Sequence, residues 1–494
     1  MSASISTGVA DLVRDALAVY RDDPAAVAAL EGYARRLAEP LRIAVAGMVK
    51  AGKSTLLNAI IGEEIAPTDT GECTRIVTWY RYGHSPRIML YPVEGEPRTL
   101  PLKRVDGRLV FVLGRARAED VERLVVDWPS ENLRDVTLID TPGIASLSED
   151  VSARSVTFLT PADTPSQADA VIYLMRHMHA SDLRFLESFK DTAAARSGTV
   201  NALAVLSRAD EIGAGRIDSL ISAADIAERY RRDHSLRKLA LGVVPVAGLL
   251  AQSARSMRQS DYESLALLAG MDRPARERLL ISVDRFLRAA VPEGLSTDAR
   301  AALLGRFGLF GIRLGVVLIR NGFAEPTPLA HELARRSGLD ALLEMVAVQF
   351  HARAEALKAR TALVGVETLL RASPRDGSGQ LAAALERVHA NAHEFRELRL
   401  LATLRTTGVS LNHELADEAE RLIGGWGMAP HLRLGLEPDA APNEVSSEVR
   451  QRLNRWRLVA ESPLTDRSGM DACRVVIRSC EGVLAECAGL QVNH

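Results

Sequence analysis

The run LRIAVAGMVKAGKSTLLNAIIG, residues 41–62, restricts the fold more than any other part of the chain. Residues 41–47 form a short, partly β-branched apolar run, as in a strand with both faces covered in a parallel sheet. A glycine-rich turn follows at once, and residues 53–62 read as a helix. This strand–loop–helix setting turns the pattern G-x-x-x-x-G-K-S from a string match into a mechanism. Gly47 and Gly52 let the backbone curl so that its N–H groups face phosphate oxygens. Val49, Lys50, Ala51 and Thr55 complete the expected cradle, Lys53 is placed to reach the β- and γ-phosphates, and Ser54 to hold Mg²⁺.

Three further segments follow in the order a nucleotide switch requires. VTLIDTPG reads as a second buried strand ending in Asp140 and Gly143. Asp140 is expected to hold Mg²⁺ through water, and the Gly143 amide to sense the γ-phosphate. Between the two lies a polar loop, in which Thr74 is expected to complete the Mg²⁺ shell while the γ-phosphate is present, with Thr70 and Thr68 as alternatives. NALAVLSRADEIG reads as a third strand, ending in Ser207, Arg208 and Asp210. A carboxylate at Asp210 can accept from the guanine N1–H and amino group, a donor pair that adenine lacks. Arg208 stands where a lysine stem would pack on the base, and its own stem can do the same. VVPVAG then supplies a last strand, with Ala247 and Gly248 in the loop expected near the base. Strands alternating with helices in this way predict a doubly wound, mostly parallel α/β sheet with ligands at the strands' C-terminal ends. The residue after Gly143 is Ile144, which cannot orient an attacking water.

With 494 residues, the chain has length for two or three domains. The flanks read as helical. Val9, Leu12, Val13, Ala16, Leu17 and Tyr20 recur at helical spacing, and Leu381, Leu385, Val388, Ala392 and Phe395 step 4, 3, 4, 3, the seam of an antiparallel bundle. The breaks are SPRDGSG (373–379) and the glycine- and proline-containing stretch 424–442. The expected division is N-terminal helices (1–40) joining an all-α bundle (341–494), with the nucleotide domain at 41–340 and a hinge at 340–345. The apolar Trp426, Met428, Leu432 and Leu434 in the second break are expected to pack at that hinge. A net charge of −2 argues against broad binding to nucleic acid, though a local basic face stays open. The N-terminus lacks a signal-peptide pattern and no apolar run reaches the ~18 residues of a spanning helix, so a cytoplasmic location is expected.

Two groupings resemble metal sites. Cys473, Cys480 and Cys487 recur every seven residues, a helical rise of roughly 10 Å, which is too far for one ion or a disulfide; they read as small core residues. Glu386, His389 and His393 read as a solvated helix face, since neither a second E-x-x-H nor a zinc-protease glutamate accompanies them.

GMVKAGKSTLLNAIIGEEIAPTDTGECTR, with DTPG and the degenerate guanine motif, resembles the bacterial dynamin-like GTPases, and the helical segments after residue 300 resemble that family's joint and bundle. The resemblance covers nearly the whole chain and is specific over residues 41–250. It implies GTP hydrolysis to GDP, with Mg²⁺ and a nucleotide-dependent dimer of GTPase domains. It also implies bundle movement at the inner face of the cell membrane, where a dynamin-like paralogue and anionic lipid are the further partners. In that family the place of Val49 often carries a glutamine that positions water, and that of Lys50 a serine that helps bind a monovalent cation. Valine loses the first role, while the Lys50 ammonium can stand in for the cation. A GTP-gated adaptor that pairs with a paralogue is the alternative reading. A ribosome- or RNA-associated GTPase is the remote one, opposed by the acidic balance.

Overall fold

Side-chain alternation at period two builds the centre of the molecule. A computed structural model describes residues 5–67, 75–105, 108–114, 116–143, 159, 166–189, 201–289 and 295–492. In chain order the strands are β1 (Leu41–Gly47), β2 (Val77–Tyr82), β3 (Arg87–Pro92), β4 (Arg98–Leu100), β5 (Leu102–Val105), β6 (Arg108–Phe111), β7 (Val121–Trp128), β8 (Val136–Asp140), β9 (Ala170–Met175), β10 (Ala202–Ser207) and β11 (Val243–Val246). Among the described residues nine of them form one sheet, ordered β11-β10-β9-β1-β8-β2-β7-β3-β4, while β5 and β6 pair separately. From β11 to β8 every pairing is parallel. β2 is antiparallel to β8, and β3 to both β7 and β4, so the sheet is mixed but mostly parallel.

Each central strand divides its residues between two cores. Ile43 and Val45, Ile172 and Leu174, Leu203 and Val205 face one; Ala44 and Ala46, Val171 and Tyr173, Ala204 and Leu206 face the other. Burial on both faces is why these strands read as continuous apolar runs. The first core continues into the C-terminal helices through Leu339, Leu342, Phe350 and Leu357. The second is closed by helix Thr297–Arg320, which is long and apolar enough to cross a membrane. Its Leu303, Phe307, Ile312 and Leu314 are buried in this core, and Gly308 (φ 63°) bends it.

The N-terminal helices Ile5–Val19 and Pro24–Ala38 pack on helix Ala354–Ala372. Tyr20 donates to the Ser373 carbonyl at 2.8 Å, and the Lys358 ammonium donates to the Leu37 and Glu39 carbonyls at 2.9 Å each. The SPRDGSG break is a turn into helix Ser378–Asn391, with Gly377 at φ 92°. In the second break, Leu434 is buried and Met428 and Leu432 are half-buried beside Arg353 and Val348, whereas Trp426 is exposed.

Three local expectations need correction. Residues 340–345 lie inside helix Leu339–Gln349, whose Leu339, Leu342 and Val346 face the core; the chain turns at Gly338 before it and at Phe350–Arg353 after it. The 381–395 seam is interrupted, because Ala392 is extended (φ −77°, ψ 109°) and separates helix Ser378–Asn391 from helix His393–Thr406. Glu386, His389 and His393 therefore share no single helix. Nor is that face simply solvated, since His389 lies 5.7 Å from the Phe395 ring and His393 Nε2 lies 3.0 Å from the Ser479 hydroxyl. The cysteine stripe is core as expected: Cys473, Cys480 and Cys487 are buried in helix Arg467–Val492, where burial pushes the Cys480 thiol up to about 12.

One ion-pair cluster joins the helices to the sheet's far edge. Glu420 accepts from Arg405 at 2.7 and 2.9 Å and from Arg237 at 2.7 Å, while Arg405 also donates to the Ala240 carbonyl at 3.3 Å. Burial alone would raise the Glu420 carboxyl, but the two guanidinia overcome it and hold it below its usual range. Glu420→Gln should leave Arg405 buried without its carboxylate and cost about 3 kcal/mol in urea unfolding at pH 7. The native carboxyl titrates below its unfolded value. Its stabilisation is therefore complete above about pH 4.5 and lost as pH falls through the folded value. The gap between the proteins should close in acid, and a gap unchanged at pH 3 would contradict this assignment.

Candidate functional site

The loop after β1 is shaped by three residues with positive φ: Gly47 at 150°, Lys50 at 62° and Gly52 at 96°. A Cβ on Gly47 would lie 2.4 Å from the Leu174 carbonyl of β9, so the neighbouring strand itself demands glycine there. Lys50 has no such freedom, and holding a non-glycine residue left-handed costs roughly 1 kcal/mol. The compensation comes from the guanine motif, where Arg208 (itself at φ 53°) donates to the Lys50 carbonyl at 2.9 Å. Arg208 also pairs with Glu211 at 2.7 Å. Ala51 is buried beneath the loop, and its N–H donates to the Met48 carbonyl. Val49 and Lys50 are exposed, and the Lys50 ammonium makes no hydrogen bond or ion pair among the described residues.

Helix Lys53–Ile61 starts at the loop, so its unpaired N–H groups point at the same space. The Lys53 ammonium donates to the Gly47 and Met48 carbonyls at 3.2 and 3.4 Å. Burial lowers its pKa, and Asp140 opposes that shift. The Ser54 hydroxyl donates to Asp140 Oδ2 at 3.0 Å, while Asp140 Oδ1 is buried with no hydrogen-bond partner among the described residues. Burial pushes the Asp140 carboxyl up to about 6 against the pull of Lys53 and Ser54. A buried, under-satisfied carboxylate beside a hydroxyl is a donor set suited to Mg²⁺, which takes one or two protein oxygens and keeps several waters.

β8 delivers the third element. Thr141 donates both its N–H and its hydroxyl to the Val45 carbonyl, at 3.3 and 3.0 Å, which fixes DTPG against β1. A Cβ on Gly143 would meet Val49 Cγ2 at 2.7 Å and Val49 Cα at 3.0 Å. The glycine expected to sense a γ-phosphate thus lies directly against Val49 of the loop. Thr74, its alternatives Thr70 and Thr68, and Ile144 lie outside the described residues.

At the other end, a cavity of about 170 Å³ opens between the loop and the C-terminal ends of β9, β10 and β11. Gly52 and Thr55 line its phosphate side; Ser207, Arg208, Asp210 and Gly248 line the other. Burial raises the Asp210 carboxyl. Ser207 donates to the Met175 carbonyl at 3.2 Å, tying the motif to β9. Ala247 is fully buried and does not line the cavity, because its N–H is committed to the Ser337 carbonyl at 2.8 Å. Leu249, Leu174 and Glu211 line it without having been singled out from the sequence. Glu211 alone left a trace, as a carboxylate three residues after Arg208.

A ligand laid along this edge would have phosphates at Gly52, Lys53 and Ser54 and a base at Asp210. Arg208 bridges the two ends, so Arg208→Ala should weaken GDP binding roughly fivefold, about 1 kcal/mol. Arg208→Lys should recover part of the loss. Titration calorimetry of the three proteins measures this, and an unchanged affinity in the alanine variant would show that the loop holds its shape without the bridge.

A family model described as the Dynamin family matches residues 43–204. The chain is 41% identical over 489 residues to the isoniazid-induced protein IniC of Mycobacterium tuberculosis, covering 98% of this chain and 99% of that one. It is 26% identical over 214 residues to the bacterial dynamin-like protein of Nostoc punctiforme, covering 40% of this chain and 28% of that one. It is also 29% identical over 136 residues to the isoniazid-induced protein IniA of M. tuberculosis, covering 26% and 21%. Together with a phosphate loop, an Asp-Thr-Pro-Gly turn and a guanine-type motif meeting at one sheet edge, these similarities place the chain in the bacterial dynamin-like GTPase family.

Proposed function

We propose that this GTPase binds GTP and GDP through residues 47–55, Ser207, Arg208, Asp210 and Gly248, with Mg²⁺ held by Ser54, Asp140 and Thr74. Hydrolysis is slow in the single chain and faster when two GTPase regions (41–340) pair. The helical part (1–40 with 341–494) then shifts at the inner face of the cell membrane, against anionic lipid. The observation that carries the nucleotide reading is the convergence of Lys53, the Ser54–Asp140 pair and the Asp210 carboxylate on one sheet edge. A Mg²⁺ bound there would neutralise β- and γ-phosphate charge. Lys53 would add a fixed ammonium, and the Gly143 amide a donor for the γ-phosphate. IniC and IniA occur in one organism and both resemble this chain, which favours a dynamin-like paralogue as a second partner. The adaptor reading, in which pairing matters more than turnover, draws on Val49, which cannot hold a water.

Nucleotide choice tests the first part. Calorimetry should give GTP and GDP binding well above ATP; Lys53→Ala should abolish it, and Asp210→Ala should narrow the preference for guanine. Equal affinity for ATP and GTP would sink the assignment.

Catalysis is tested through Lys50. An ammonium carried by the loop would offset charge that grows as the phosphate bond breaks, without recruiting an ion. GTP turnover per molecule should rise with protein concentration and be indifferent to exchanging K⁺ for Na⁺ or choline. Lys50→Ser should be slower yet gain K⁺ dependence, with nucleotide affinity kept. A wild-type requirement for K⁺ would remove Lys50 from the mechanism, and turnover flat with concentration would favour the adaptor.

A further inference from the structure

A second groove, of about 1110 Å³, shares no residue with the candidate nucleotide cavity and lies between helix Pro24–Ala38 and the outer strands β2, β3 and β7. Sheet register places its chemistry. Arg81 of β2 and Arg87 of β3 both stand opposite Asp127 of β7, and Tyr91 stands opposite Arg123, with Trp79 on the same face. Two guanidinia lie over the Trp79 ring, Arg42 at 4.8 Å and Arg123 at 5.6 Å, and Arg123 is also 4.5 Å from the Tyr91 ring. A ring face attracts a guanidinium without accepting a hydrogen bond from its N–H groups, so the rings help to hold these cations without using their donors.

Charge in the groove is unbalanced. Arg81 and Arg87 share the single Asp127 carboxylate, Arg87 at 2.8 Å. That carboxylate is buried, while the two guanidinia are about half exposed. Arg36 and Arg35 face them from the helix, where Arg36 is spent on the buried Asp169. Glu39 is the other acid on the wall and pairs with Arg42. Glu122 pairs with Arg123 but is exposed, so solvent screens it. Several forked donors around one space suit an anion that can accept from more than one fork at once. A chain with net charge −2 and a groove walled by a helix fit a compact anion better than a nucleic-acid track.

We propose that this groove is a second anion site, one that binds a polyphosphate or phosphomonoester group between the GTPase sheet and the N-terminal helices. The bound group engages Arg81, Arg87 and Arg123, and spans the joint to helix Pro24–Ala38. The phosphate belongs either to a soluble molecule or to a lipid headgroup.

The test titrates inorganic tripolyphosphate into full-length protein saturated with GDP, so that the phosphate loop is filled. Repeating it on Lys53→Ala keeps the outcome independent of GDP loading. Saturable binding is expected, weakened at least tenfold in Arg87→Gln and Arg123→Gln, less in Arg87→Lys, and not at all in Arg273→Gln on a distant exposed helix. Flotation with phosphatidic acid vesicles identifies the source. Vesicle binding lost in the same variants and displaced by tripolyphosphate assigns a lipid headgroup, whereas tripolyphosphate binding alone assigns a soluble ligand. Binding of neither probe, or an equal loss in Arg273→Gln, overturns the site.

Discussion

Asp169, at the entry to β9, is 2% exposed, and three separate parts of the chain engage its carboxylate. Arg36 Nε of helix Pro24–Ala38 donates to Oδ1 at 3.0 Å, with Nη2 2.7 Å from the same oxygen as an ion pair, the Arg42 N–H at the start of β1 donates to Oδ2 at 2.9 Å, and Thr361 of helix Ala354–Ala372 lies 3.4 Å from Oδ1. Burial lowers the Arg36 pKa, and Asp169 pushes it back. Taking two charges out of water costs several kcal/mol per ion, which only close geometry and further hydrogen bonds offset. Such a pair is better understood as specifying an arrangement than as adding stability. Here it fixes which helices meet the N-terminal edge of the sheet, and in what orientation.

The nucleotide end lies at the opposite edge. β1 runs seven residues from Leu41 to Gly47, about 23 Å of strand, and pairs through Ile43 with Ala170 and through Gly47 with Leu174. Both neighbours of β1 are parallel and buried, so it forms a stiff spacer between the helices and the phosphate loop. A second link takes a different course. The Ala247 N–H, next to the base cavity, donates to the Ser337 carbonyl. Gly338 follows at φ 82°, with its Cα so close to β11 that a Cβ would lie 2.1 Å from the Pro245 carbonyl. Helix Leu339–Gln349 then leads to Arg353, which donates to the carbonyls of Ile423 and Gly424. The loop at Ala247 and the helical part are thus joined by a backbone hydrogen bond, a close approach that requires glycine at 338, and the Arg353 guanidinium.

What could be read from the sequence follows from how local each signal is. The phosphate loop and the three strand ends were legible because each is a contiguous run with its own punctuation, and the nine-stranded sheet delivers their residues to one edge. The Arg208–Lys50 bridge was hidden, since it needs two left-handed non-glycine residues that no pattern announces. Residues 340–345 lie inside a helix because Leu339, Leu342 and Val346 keep helical spacing straight through them; the chain turns at Gly338, which a glycine announces, and at Phe350, an apolar residue with no breaker signal. The 381–395 seam kept its hydrophobic period across Ala392, so the period concealed a helix end. The Arg–Trp–Tyr stacking of the outer strands depends on register across β2, β7 and β3, which a linear reading does not hold.

The contact between Val49 and Gly143 shows how a single departure from a polar pattern alters a site without dismantling it. A polar side chain at residue 49 would have brought a donor or acceptor for water to the phosphate end. Valine brings two methyl groups, one of them where a Gly143 Cβ would stand, so the glycine turn rests directly on the loop. This packing removes a place for water to be held. Val49 can neither donate nor accept a hydrogen bond through its side chain, so a polar contact beside Gly143 has to come from other residues.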